Sequence, residues 1–179
     1  QGSPGSAPMR GCLHAARAAP HALPPGSLTA PPEGLLRFWF GEAALTDRAA
    51  LSTEPYLRER WHLWFGPSPP EFDRECAAFA GLIREAGRRG RDFAWCGSPR
   101  GRFAALLLLD QLPRNAFRGR PEALATDAQA LALAREIRAR GEYEALEFAE
   151  RVFVRTAFEH SEELGDVRVA VELDERMAG

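Results

Sequence analysis

Apolar positions recur at helical spacing along most of this chain. They are densest in the stretch FAALLLLDQLPRNAFRG, from Phe103 to Gly119. Leu106 to Leu109 are four adjacent leucines, which cover every face of a helix and predict a central segment buried all round. Ser98-Pro99 is a start signal, a hydroxyl cap followed by proline where no N–H is needed. Pro113 disfavours helical geometry at Leu112, so the pattern predicts a stop near Gln111. Straight after this apolar run come Asp110, Gln111, Arg114 and Asn115, with Arg118 one turn on.

The other segments follow the same logic. GLLRFWFG predicts a short, almost wholly apolar helix closed by Gly41, and TEPYLRERWHLWF a helix ending before GPSPP. Residues 42–60 carry no decisive pattern before that second helix sets in. EFDRECAAFAGLIREAGRRG places Phe72, Cys76, Phe79 and Ile83 on one stripe and predicts a single helix to Gly90. Thr126 to Gln129 reads as a capping box for DAQALALAREIRARG. EYEALEFAERVFVRTAFEHSEEL then carries an apolar face towards His160, Glu162 and Glu163. The last segment, Val167 to Leu173, fits both periods; helix is expected because no partner strand exists elsewhere. The predicted fold is all-α, built of antiparallel helix pairs over residues 33–179.

Residues 1–32 have no acidic side chain and few large apolar ones, and are expected to be a disordered extension. Their arginine, serine and alanine content resembles a transit peptide for a mitochondrion or plastid; a translated upstream region is the other reading. The expected compartment is otherwise the cytoplasm.

Composition excludes several function classes. A net charge of −2 gives no case for nucleic acid or an anionic membrane, and no apolar run approaches a membrane span. Three cysteines without CxxC spacing suggest neither a zinc site nor a disulfide framework. Cys76 is expected in the core, and His62, with no other histidine nearby, as surface or satisfied core. No metal and no cofactor are expected. All 23 basic residues are arginine, and Asn115 is the only asparagine, so its place beside Arg114 hints at a specific requirement.

Two polar clusters therefore follow apolar helices: Asp110, Gln111, Arg114, Asn115 and Arg118 in one, His160, Glu162 and Glu163 in the other. Burying a lone carboxylate is costly, and arginine is its natural bidentate partner. Asp110 and Arg114 either lock the turn or line a ligand site, and both readings stand. The two turns are expected to meet, with Arg114 against Glu162 or Glu163 and Asp110 near His160.

WFG, FD, SPRGRFAALLLLDQLPRNAFRG, ALATDAQALALA and FEHSEEL, in this order, closely resemble the bacterial family catalogued as domain of unknown function 924. The resemblance covers roughly Leu35 to Val171 and implies an all-helical, tetratricopeptide-repeat-like right-handed array. Leu112 stands where the family has Phe, Phe117 where it has Tyr, and Ala157 where it has Pro. Family members continue to a second motif similar to FGRFPHRN, so the domain is expected to be incomplete at its C-terminus, with oligomerisation as one consequence. The helical-repeat likeness implies a module for a protein or peptide partner rather than an enzyme. An anionic-ligand site or enzyme built from the polar cluster is the alternative, and a purely structural role for both motifs is a third.

Overall fold

A computed structural model describes residues 27–66 and 68–178; the expectations for residues 1–26 lie outside these. Among the described residues there are nine α-helices and no strand. They are α1 (Glu33–Phe40), α2 (Ala43–Thr46), α3 (Glu54–Trp64), α4 (Pro70–Ala77), α5 (Ala80–Arg89), α6 (Pro99–Ala116), α7 (Asp127–Ala139), α8 (Phe148–Glu159) and α9 (Leu164–Ala178). The packed region begins earlier than the sequence suggests: Leu28 is fully buried in the core, and the Trp95 indole donates to the Ala30 carbonyl at 2.6 Å.

Helix α6 lies at the centre, touching α1, α4, α5, α7 and α8. Phe103 to Leu109 are completely buried, as four leucines in a row require. Its start is the predicted one, with Ser98 Oγ accepting from the Gly101 N–H at 3.1 Å and Pro99 in the first turn. Position 101 must be glycine, since a Cβ there would meet the Trp95 carbonyl oxygen at 2.2 Å.

The end of α6 corrects the sequence expectation. The helix runs on through Pro113 to Ala116 rather than stopping near Gln111. Proline has no N–H, so the Leu109 carbonyl four residues earlier loses its helical donor. Thr126, from the turn before α7, supplies the replacement: its hydroxyl donates to Leu109 O at 2.6 Å. The same contact explains why Thr126 makes no side-chain cap on α7, contrary to the expected capping box.

This substitution of donors is testable. Thr126→Val should cost about 1–3 kcal/mol, the usual penalty for an abandoned buried acceptor. With Pro113→Ala, which restores a backbone N–H, the cost of Thr126→Val should shrink to well below that. A urea-unfolding double-mutant cycle reads the difference. Equal costs in both backgrounds would show that Thr126 does not stand in for the missing N–H.

The expected single helix over residues 71–89 is two. A turn at Ala78–Phe79 separates α4 from α5, and both pack on α6 while Phe72, Cys76, Phe79 and Ile83 all stay buried. The turn faces Phe79 to Phe38, with ring centroids 4.9 Å apart. Helix α8 opens with a capping box of Glu147 and Glu150 that the sequence reading passed over. The ambiguous last segment is helical, and α9 packs on α8 through Ala170 and Leu173.

Candidate functional site

The polar cluster forms where the C-terminal turns of α6 meet the end of α8. Asp110 is 1% exposed and accepts through Oδ1 from His160 Nδ1 at 2.8 Å. The neighbouring Gln111 amide donates to the other carboxylate oxygen. Because a carboxylate only accepts, the imidazole proton sits on Nδ1, and Nε2 of a neutral His160 is left as an acceptor. No protein group bonds that nitrogen among the described residues, and the His160 side chain is about a quarter exposed. A buried acid thus fixes both tautomer and ring orientation of a reachable imidazole.

Arg114 is not placed as expected. It sits 3.7 Å from Asp110 Oδ1, but its two terminal nitrogens bond Asp127 at 2.8 and 3.0 Å, and Nη1 also caps the Asp110 carbonyl at 2.8 Å. Asp127 occupies the first turn of α7, which α6 packs against, so it meets the guanidinium before Glu162 or Glu163 can. Both of those glutamates are exposed and lie in the short turn before α9. There Ser161 Oγ accepts from the Glu163 N–H at 3.1 Å and donates to Asp166 at 2.8 Å. Of the HSE motif, only His160 joins the cluster.

Asn115 and Arg118 turn the other way, towards α4. Asn115 donates to Asp73 Oδ1 at 2.9 Å and to Ser68 Oγ at 3.2 Å. Arg118 grips the same Asp73 carboxylate through Nε at 2.7 Å and Nη2 at 2.9 Å. The Arg118 guanidinium, helped by the Asn115 amide and opposed by partial burial, holds the Asp73 carboxyl below the usual carboxylate range. The bridge therefore stabilises the fold at ordinary pH and fades as pH falls through that lowered value. The single asparagine of the chain is a brace between α6 and α4.

Asp73, Ser68 and Asp127 are the members sequence reasoning missed. Asp73 and Asp127 each sit in a first helical turn, where an acid reads as a dipole feature. The FD pair inside the family-like motif was the one available signal for Asp73. Elsewhere, Cys76 is buried in the core, which pushes its thiol far up, and His62 is exposed. Among the described residues no group of three or more His, Cys, Asp or Glu is arranged to hold a metal ion, and no helix is long and apolar enough to cross a membrane.

A family model described as a bacterial protein of unknown function (DUF924) matches residues 35–179. The chain is similar to a solved structure, a protein of unknown function, ATU0120, from Agrobacterium tumefaciens. The two are 30% identical with a TM-score of 0.64, over 83% of this chain and 74% of that one. No curated protein matches the chain.

Proposed function

The chain belongs to the bacterial family of unknown function DUF924, and we propose that this member is a helical-array protein that binds a small hydroxylated ligand at the Asp110–His160 pair. The carrying observation is the 2.8 Å contact from a fully buried carboxylate to Nδ1 of a partly exposed imidazole. Nε2 accepts from a ligand O–H, and the same nitrogen can take up that proton, so general-base chemistry is within its reach. Arg114, Asn115 and Arg118 are engaged by Asp127 and Asp73, so they hold the frame of the site and leave recognition to His160.

The test is a thermal-shift panel of polyols, sugars and hydroxy acids on the wild type and His160→Gln. A ligand at a hundredfold its Kd adds about 2.7 kcal/mol, which at this chain length shifts Tm by roughly 5–10 °C. The shift should vanish in His160→Gln, a partly exposed change that itself costs about 1 kcal/mol. A panel that moves neither protein, or both equally, would sink the reading.

A second reading, binding of a protein or peptide, is favoured by one surface. Trp61 is 44% exposed and packs on Phe65 at 4.6 Å, at the mouth of a cleft of about 540 Å³. Phe148, Val152 and Met177 complete its apolar walls. The fitting occupant is a peptide that inserts an aromatic or aliphatic side chain beside Trp61. Selection from a random peptide library should enrich such sequences on the wild type and not on Trp61→Ser; enrichment common to both would dismiss it.

A further inference from the structure

Most of the described arginines are engaged by carboxylates. Of the 21 described, fifteen make an ion pair. Three of the remaining six, Arg84, Arg88 and Arg120, gather at one place: the buried Phe117 ring and the cleft beside it. The Arg84 guanidinium carbon lies 4.9 Å from the Phe117 centroid and that of Arg120 5.2 Å. Arg120 has a single weak bond, to the Ala116 carbonyl at 3.4 Å, while Arg84 and Arg88 have no hydrogen bond among the described residues.

The cleft holds about 300 Å³ between α5, Phe117 and the turn leading into α7, with Arg84, Arg88, Gly87, Thr126 and Gln129 on its walls. Gly87 allows this approach, since a Cβ there would meet the Thr126 methyl at 2.9 Å. The Gln129 amide donates weakly to the Gly87 carbonyl at 3.4 Å, and its own oxygen has no partner. Glu122 is the one carboxylate on the lining.

Like-charged guanidiniums repel, and those of Arg84 and Arg120 lose part of their hydration against the Phe117 ring. Against fifteen paired arginines, three gathered without an ion pair, beside the single carboxylate of Glu122, mark a place where more counter-charge comes from outside. Two of the three are steadied by one ring, which reduces the ordering cost of meeting a ligand. The volume lies at the small end of ligand pockets and suits a molecule of sugar-phosphate size.

We propose that the cleft beside Phe117 binds a compact dianionic metabolite, its phosphate or paired carboxylates held by Arg84 and Arg88 with Arg120 adding charge. This site is distinct from the Asp110–His160 pair and stands or falls without it. Glu122 opposes the bound charge and keeps affinity moderate.

Calorimetric titration at low ionic strength tests this, with glucose 6-phosphate and malate as probes; which of them binds distinguishes a phosphate from a carboxylate ligand. At least one should bind, with affinity that drops as salt is raised. The double variant Arg84→Gln/Arg88→Gln should weaken it about tenfold or more, the loss expected for two charge-assisted contacts. Glu122→Gln should tighten it, and Arg168→Gln, an unpaired arginine elsewhere, should leave it unchanged. All three changes fall on exposed side chains, so folded protein is expected and circular dichroism checks it. Binding of neither probe below ~10 mM, or undiminished binding by the double variant, would overturn the proposal.

Discussion

Glu150→Ala should be among the most damaging single changes in this protein, costing about 3–5 kcal/mol in urea unfolding, the range for stripping one partner from a buried ion pair. The Glu150 carboxylate is wholly buried. Its Oε2 accepts from Arg48 Nη2 at 2.6 Å and from the Glu147 N–H at 3.0 Å, and its Oε1 accepts from Arg100. The two arginines are bound onward, Arg48 to the Ala145 carbonyl at 3.2 Å and Arg100 to the Ala44 carbonyl at 2.8 Å. One carboxylate therefore ties the start of α8 to the start of α6 and to the segment before α3. Its removal leaves two guanidiniums facing each other and one helix uncapped. Glu150→Gln keeps the shape and an acceptor, so its loss should be distinctly smaller. A Glu150→Ala cost below about 1 kcal/mol, the value for exposed pairs, would mean that water replaces the carboxylate.

That network was invisible in the sequence for a physical reason. A glutamate on a helix is read as a solvent-facing residue, and the arginines that bury this one stand 102 and 50 positions away. Periodicity reports which residues avoid water; it carries no information on which charges find each other. The buried state of α6 was legible because four consecutive leucines leave a helix no polar face. Its true end was not, since Pro113 is tolerated through a hydroxyl from another segment.

The candidate site divides along the same line. Asp110 and His160 were expected to meet because each ends an apolar helix and would be costly to bury alone, and they lie 2.8 Å apart. The partner of Arg114 was misjudged because chain-wide pairing depends on which acid the neighbouring helix presents first. Asp127, thirteen positions on, is held by both terminal nitrogens, whereas the glutamates after His160 stay in water. Asn115 drew attention as a singular residue, and its role as a brace to Asp73 needed the approach of α4 to be seen. A rare residue type signals a constraint without saying whether that constraint is a ligand or a helix.

Two variants at Asp110 separate structure from recognition at the central pair. Asp110→Ala should cost about 3–5 kcal/mol, because it empties a buried position, strands the Gln111 amide and removes a charge from beside Arg114. Asp110→Asn keeps the volume and still offers an oxygen, so the cost should fall to about 1–3 kcal/mol. What Asn cannot do is fix the imidazole, for its amide serves Nδ1 equally well as donor or acceptor. Nitrogen-15 spectra of the histidine ring should therefore show Nδ1–H alone in the wild type and a mixture of tautomers in Asp110→Asn. If His160 Nε2 is the recognising atom, hydroxylated ligands that stabilise the wild type should lose most of their effect in Asp110→Asn even where the protein is fully folded. Should Asp110→Asn scramble the tautomer and leave ligand stabilisation intact, the buried carboxylate would be a fastening between α6 and α8 and nothing more. Should it leave the tautomer unchanged, the hydrogen bond to Asp110 would not be what orients the ring.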